Sequence, residues 1–577
     1  MSHNHGSTGT TTGSSSGAST TVDLADKVAY GLLYASQHEK HIMYAWIIWV
    51  LIAFVLGAGF ILRLTKAHRQ IPLASVSRRL FLKQTFPCTN WRMSVARGHV
   101  FALFLYIAYN FVFTFADIPY GRKYRYPSKH NGMMQTATTM QFTANRTGFL
   151  AFSGVPLVFL LAARNNLVSW ATGIPYNALN FLHRWVGRVV FILSWLHIIL
   201  WSLELDINYF PKGKHSYYNT RWTMRYWLGG FAATVFLCFL CLHSLPFVRR
   251  WTGYEFFRSM HVFGSLLFLI GCWVHWPTAF QWIAAGIAIL FADHMARTSR
   301  MLFIQLRGRG SAEAVVGIFS DEDEVDVMRI TIKNCGIKSW RAGQHVFLCF
   351  PAHSRFQAHP FTVANSSNKT HNPDGDLVFV VRRKNGMTDR LCQLAAESKT
   401  LKVWVDGPYG VGALSPEISG RHIQLVAGGT GISFALSAVS ELTGRDIPGT
   451  MQLDWYVRRR ANTAWFGNDL AKLSHLFGST LRISIHITRE SPLTASSTEK
   501  DTSNSSLTAI EGVTYSYDKN SCAEVLRMYA STVDPRQGTS KIAVLACGPG
   551  SMGPNVRNAV AEMNGSVDVK CVMEDYV

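Results

Sequence analysis

The 577 residues predict a multi-domain chain: an α-helical polytopic membrane domain of about seven spans, a small antiparallel β-barrel, and an α/β domain on a parallel sheet. Three observations predict it. The character of the sequence changes near residue 300, from long apolar blocks to short strands, turns and charges. Before that break, seven apolar runs approach the roughly 20 residues that cross a bilayer core of about 30 Å, at about 42–63, 98–116, 147–163, 180–203, 226–247, 256–276 and 279–297. After it, β-type runs give way near residue 420 to alternating strands, glycine turns and helices, the pattern of a parallel sheet with crossover helices.

Residues 1–40 form a Ser/Thr/Gly-rich polar tail without the apolar centre of a signal peptide, so the first span is read as an uncleaved anchor and 41–300 as the membrane domain. The loop from Arg63 to Arg97 holds eight Lys/Arg and no acidic residue, which marks it as cytoplasmic. Seven spans then leave the N-terminus outside and the C-terminal domains in the cytosol. The 117–146 loop, placed outside, is also basic, and the denser loop decides the orientation. The sequon Asn145-Arg146-Thr147 falls in that outer loop and is a candidate for glycosylation. The net charge of +21 sits largely in loops beside the spans, where it fixes topology and meets anionic lipid; no nucleic-acid partner is called for. None of the ten cysteines falls in a predicted outer loop, and they support neither a disulfide framework nor a zinc site.

The fourth span, "FLHRWVGRVVFILSWLHIIL", carries His183 and His197; the sixth, "FRSMHVFGSLLFLIGCWVHW", carries His261 and His275. Both intervals are fourteen residues. On an α-helix that advances about 21 Å and returns to within about 40° of the same face. One span separates the two helices, so they run in the same direction, and His183 pairs in level with His261, His197 with His275. Facing imidazoles at one level suit a six-coordinate haem iron, and two levels suit two haems. A single membrane histidine is often only hydrogen-bonded to a neighbouring carbonyl; two pairs with one spacing point to function. His99, His243 and His294 lack such partners and are read as structural. Arg184, Arg188 and Arg258 gather at the cytosolic level, where propionate pairing and snorkelling to lipid phosphate explain them equally well.

In the soluble half, 305–412 reads as the barrel, through "AVVGIF", "DVMRITI", "HVFLCFP", "LVFVVRR" and "LKVWVDG". Residues 413–577 read as the parallel-sheet domain, with a Ser/Thr-rich stretch near 488–521 taken as a disordered surface insertion. In Gly428-Gly429-Thr430-Gly431 the missing side chains let a pyrophosphate approach backbone N–H groups at a helix start.

Five motifs follow in order: "HPFT" (359–362), "NGMTDRL" (385–391), "DGPYG" (406–410), "GGTGIS" (428–433) and "CGPGSM" (547–552). The series resembles the ferredoxin–NADP reductase-like module. Behind a histidine-bearing membrane domain it resembles the ferric reductase/NADPH oxidase superfamily, nearest to the fungal ferric-chelate reductases. The resemblance implies FAD, NADPH and two haems b. It implies that His359, Pro360, Phe361 and Thr362 contact the flavin, with the Thr362 hydroxyl near N5. Gly386, Met387 and Thr388 correspond to the turn that holds the FAD pyrophosphate. Gly428, Gly429, Thr430, Gly431 and Ser433 correspond to the nicotinamide-nucleotide pyrophosphate loop, and Cys547, Gly548 and Pro549 to the nicotinamide pocket. Arg458 corresponds to a position linked to the NADPH 2′-phosphate, where a guanidinium bonds bidentately; a solvated basic turn over Arg458–Arg460 fits as well. Tyr576 is the candidate for the terminal aromatic that stacks on flavin, displaced by the extra Val577.

The implied activity is NADPH-dependent reduction of ferric chelates, and of cupric ones, across a plasma or vacuolar membrane. Family analogy adds a functional link to an iron permease or multicopper oxidase. A superoxide-generating NADPH oxidase is the alternative. The few residues around Trp276-Pro277-Thr278 between the last two spans, and the second interval of fourteen, favour the reductase; oxidases of the family have a longer loop there and shorten that interval by one. A transporter with a regulatory soluble domain would call for inverted repeats or broken helix pairs, which the spans do not show.

Overall fold

The computed structural model describes residues 16–65, 97–121, 123–127, 134–172, 176–209, 222–307, 312–321, 324–333, 335–355, 357–369, 372–410, 412–414, 418, 421–442, 450–490, 510–518, 520–533, 540–563 and 567–575. The chain divides into two compact units, one holding 101–172 and 179–291 with the N-terminal residues to 65, the other holding 292–577 with 66–100 and 173–178.

In the first unit, seven helices are long and apolar enough to cross a membrane. They are α1 (Ser16–Thr65), α2 (Arg97–Phe115), α3 (Thr139–Ala162), α4 (Tyr176–Tyr209), α5 (Arg225–His243), α6 (Tyr254–His275) and α7 (Phe280–Arg307), the last continuing into the second unit. Each falls on a run expected from the sequence. The tail is shorter than expected, because α1 is already helical at Ser16. Its polar stretch is used: Tyr30 donates to Gln141 Oε1 at 3.0 Å, and Gln37 to the Asp117 carbonyl at 3.0 Å.

The sequon does not lie in a loop. It sits inside the first three turns of α3, where the Thr147 hydroxyl is fully buried and donates to the Ala144 carbonyl. Arg146 is fully buried too. Its guanidinium donates to His41 Nδ1 at 2.6 Å and to the carbonyls of Phe113 and Ala116 at 2.9 and 3.2 Å, joining α1, α2 and α3. A membrane helix buries such a charge only when its donors are met. A hairpin, β1 (Tyr124–Pro127) with β2 (Met134–Ala137), precedes α3. Helices α5 and α6 pack closely through small residues: a Cβ on Gly271 would lie 2.7 Å from the Ala233 backbone N. Cys238 and Cys241 on α5 make a Cys-x-x-Cys spacing, and both are free thiols, like the other described cysteines.

The second unit holds the sheets. Strands β3 (Glu313–Asp321), β4 (Glu324–Lys333), β7 (Leu377–Arg382) and β8 (Thr400–Lys402) form an antiparallel sheet in the order β7-β4-β3-β8. Strands β5 (His345–Cys349), β6 (His359–Thr362) and β9 (Trp404–Tyr409) form a second, β6-β5-β9. The chain passes from β8 into β9 at one corner, and the Ala364 N–H donates to the Val378 carbonyl at 2.8 Å at the other. Val346, Leu348, Ile330, Phe379 and Val405 fill the space between them, each buried. This is the expected antiparallel unit, with helix α8 (Met387–Glu397) inserted before β8.

The α/β domain has six parallel strands in the order β13-β12-β11-β10-β14-β15: β10 (His422–Gly428), β11 (Met451–Val457), β12 (Leu481–Ile487), β13 (Val513–Ser516), β14 (Ser540–Gly548) and β15 (Val567–Asp575). Helices α9 (Ile432–Leu442), α10 (Gly467–Phe477), α11 (Cys522–Thr532) and α12 (Met552–Glu562) cross between them. The supposed insertion is narrower than expected, since β13 lies within it and pairs with β12 from Ile483↔Val513 onward. Arg329 on β4 bonds Asp469 on α10 at 2.6 Å, which fixes the two soluble domains to each other.

Candidate cofactor sites: two histidine pairs and a nucleotide crevice

The pairing deduced from the fourteen-residue spacing is present. The ring centres of His183 and His261 are 6.3 Å apart, and those of His197 and His275 are 6.1 Å apart. A metal–imidazole nitrogen bond is about 2.0 Å and the ring centre lies about 1.1 Å behind the nitrogen, so two imidazoles on opposite sides of one metal have centres about 6.2 Å apart. Both pairs fit that requirement. Their ring planes are inclined at 68° and 84°.

The surroundings hold the rings with Nε2 left for a ligand. His183 Nδ1 is 2.9 Å from the Val158 carbonyl, His197 Nδ1 is 2.7 Å from that of Ala144, and His275 Nδ1 is 2.8 Å from that of Tyr226. Val158 and Ala144 are themselves fourteen residues apart on α3, so the third span repeats the interval of the fourth. Orienting bonds of this kind fix the tautomer and strengthen the ligand. Space is made by glycine: a Cβ on Gly148 would lie 2.9 Å from His197 Nδ1, and one on Gly230 2.6 Å from His275 Nδ1. Near the His197/His275 pair, α3 and α4 are latched by Trp201, which donates to Asn145 Oδ1 at 3.2 Å, and by Glu204, which accepts the Thr138 N–H at 2.8 Å. The sequence singles out the four histidines but not these carbonyls, glycines or latches.

In the second unit, two expected motifs meet at one crevice. β10 has β11 on one side and β14 on the other, so the strand order reverses at β10/β14, where doubly wound sheets bind nucleotides at their carboxyl ends. Gly428–Ser433 leave β10 there, and Cys547–Pro549 end β14 beside them. A Cβ on Gly428 would lie 2.6 Å from Pro549 Cδ, and one on Gly431 would collide with the Cys547 carbonyl. The motifs require glycine because each approaches the other. Gly429 has φ +55°, and its carbonyl accepts from Trp455 Nε1 at 2.9 Å. Arg458 follows the end of β11, the strand next to β10.

His359–Thr362 form β6, and the Thr362 hydroxyl donates to Glu574 Oε1 at 3.3 Å. Glu574 stands opposite Cys547 in the β14–β15 register. Thr362 of β6, Cys547 of β14 and Glu574 of β15 thus converge. The motifs alone did not single out Glu574, because its place depends on β15 pairing with β14. Tyr576 lies outside the described residues. Gly386, with φ +92°, caps α8, whose Thr388 hydroxyl donates to the Lys384 carbonyl at 2.8 Å. Beside this turn a groove is lined by Arg382, Arg383, Lys384 and Asn385. Arg383 is clamped by Asp326 and Asp389, both at 2.7 Å, and those bonds hold its pKa above the usual value. Asp406 of the "DGPYG" stretch accepts from Arg300 Nε at 2.8 Å and from the Tyr409 hydroxyl at 2.6 Å.

Paired imidazoles on apolar helices thus precede an antiparallel two-sheet domain and a nucleotide-type crevice on one chain. The comparisons make this particular. Three family models match in order: "Ferric reductase like transmembrane component" over 147–272, "FAD-binding domain" over 319–413 and "Ferric reductase NAD binding domain" over 420–561. Over those residues the chain is built of a ferric reductase-like transmembrane component, an FAD-binding domain and a ferric reductase NAD-binding domain. It is 31% identical over 330 residues to ferric reductase transmembrane component 4 of Saccharomyces cerevisiae (56% of this chain, 42% of that one). It is 29% identical over 360 residues to ferric/cupric reductase transmembrane component 1 of Candida albicans (60% and 43%). It is 28% identical over 360 residues to a probable cell surface ferric reductase of Aspergillus oryzae (57% and 45%). The chain spans about half the length of these curated relatives. A ferredoxin NADP+ reductase from Neisseria gonorrhoeae with bound FAD and NADP is 16% identical, with a TM-score of 0.33, over 46% of this chain and 97% of that one.

Proposed function

We propose that this chain is a transmembrane ferric-chelate reductase that also accepts cupric chelates and draws on cytosolic NADPH. The observation that carries the reading is the pair of imidazole couples at 6.3 and 6.1 Å, the spacing that two six-coordinate haems b need. When bound, FAD takes up a hydride and releases electrons singly, and bis-histidine haem iron carries single electrons without binding oxygen readily.

The chain's own residues then have distinct tasks. Gly428–Ser433 and Cys547–Pro549 seat the nicotinamide nucleotide, with Arg458 on its 2′-phosphate. His359–Thr362 and Gly386–Thr388 would hold the flavin, with the Thr362 hydroxyl near its N5 edge. His183 and His261 hold the inner haem; His197 and His275 hold the outer one. The basic loop after α1 supports a cytosolic soluble unit and an acceptor outside, at the plasma membrane. The two soluble domains, fixed to each other, keep the nicotinamide and flavin motifs in register.

Superoxide production is the second reading. The connection after His275 argues against it: a single turn, Pro277–Ala279, leads straight into α7, so this connection lays no long segment over the outer level. Fe(III) reduction at the surface of cells expressing the protein, measured with and without superoxide dismutase, is expected to be unchanged by the dismutase. Loss of the signal would overturn the reading. Coupling to an iron permease or multicopper oxidase would follow as the use of the Fe(II) product.

A further inference from the structure

His243, in the last turn of α5, was read from sequence as structural. It is 6% exposed, and neither of its ring nitrogens has a hydrogen-bond partner among the described residues. His261 is the one of the four paired histidines whose Nδ1 is also buried without a partner, while the other three bond carbonyls. The two unmet imidazoles stand against one shared ring. Their ring centres lie 5.4 and 5.3 Å from that of Phe257. Phe239 stacks on His243 at 5.0 Å, and Phe256 meets it edge-on at 5.8 Å. An aromatic box of this kind offers no conventional acceptor, and buried polar groups are seldom left unmet.

The chemistry of the groups selects the match. With Nε2 of His261 directed to iron, its remaining N–H is on Nδ1 and needs an acceptor. Arg249 Nε is also buried and unpartnered, with its guanidinium carbon 5.6 Å from the Phe257 ring, but a guanidinium only donates. A neutral imidazole has one acceptor nitrogen. We propose that His243 accepts the His261 Nδ1–H through one buried water and so acts as the positioning residue of the inner haem ligand. It does for His261 what backbone carbonyls do for the other three. A bond of this type fixes the ring plane and makes the imidazole a stronger donor, which favours ferric over ferrous iron. The inference rests on the bis-histidine haem reading above.

The test uses full-length protein purified with its haems. His243→Phe keeps an aromatic ring in the box and removes the acceptor; His243→Gln keeps an acceptor. Redox titration followed by absorbance, with low-temperature EPR of the oxidised protein, resolves the two haems. The expected result for His243→Phe is an upward shift in the midpoint potential of one haem and a changed low-spin EPR signal for that haem only. His243→Gln is expected to stay near the parent on both measures. Identical behaviour of the two variants, an equal shift in both haems, or no change in either overturns the proposal. If His243→Phe loses a haem outright, the glutamine variant decides: normal potentials support the acceptor role, and the same loss overturns it. A parent protein without two low-spin haems overturns instead the reading on which this one rests.

Discussion

The two histidine levels share a sequence interval but not an environment. At the His197/His275 level both imidazoles are bonded through Nδ1 to carbonyls, both rings lie against glycines, and α3 and α4 are latched by Trp201–Asn145 and Glu204–Thr138. At the His183/His261 level only His183 has its carbonyl. The difference teaches that the imidazoles and their supports are specified separately. Fourteen residues of helix fix where an imidazole stands; the neighbouring spans fix how it is held.

The comparison breaks most completely if a ligand is removed. His183→Ala and His197→Ala are each expected to abolish reduction across the membrane while NADPH oxidation with a soluble dye persists, because the nucleotide crevice lies in the other unit. Each should delete a different haem from a redox titration, and surface activity equal to the parent would remove the ligand assignment. Next is space. Gly230→Ala puts a Cβ 2.6 Å from His275 Nδ1, whereas nothing lies within 4 Å of a Cβ on Gly187. Loss of the outer haem is expected for Gly230→Ala and full haem content for Gly187→Ala, measured as haem per flavin.

A smaller effect is expected in the crevice. A charge-assisted hydrogen bond contributes about 1.5–3 kcal/mol, so Arg458→Ala should raise KM for NADPH roughly 10- to 100-fold and leave NADH nearly unchanged. Equal changes would refute the phosphate role. Smallest is the latch. Glu204→Gln keeps an acceptor for the Thr138 N–H and removes the charge, and should lower Tm by a few degrees without altering haem content; haem loss would show that the latch governs the site itself.

Much of this was legible in the residues. Span number, the histidine levels, the two soluble folds and the crevice follow from apolar runs, one interval and glycine turns, all of them local patterns. What was not legible depends on contacts between distant elements. The sequon reads as a loop because Asn, Arg and Thr look solvent-exposed; only the meeting of α1, α2 and α3 turns Arg146 into a buried tie. Residues 16–40 read as a polar tail, although Tyr30 and Gln37 are polar because they face other polar groups. Strand β13 is too short to announce itself and is defined by its ladder with β12. Glu574 acquires neighbours only when β15 pairs with β14.

The most direct test of the central claim is the low-temperature EPR spectrum of the oxidised, purified protein, with haem and flavin counted in the same sample. Ligand planes inclined at 68° and 84° predict two low-spin ferric signals of the highly anisotropic, large-gmax type that near-perpendicular imidazoles give, with two haems per flavin. A high-spin signal, a single haem, or no haem would contradict the paired-histidine account.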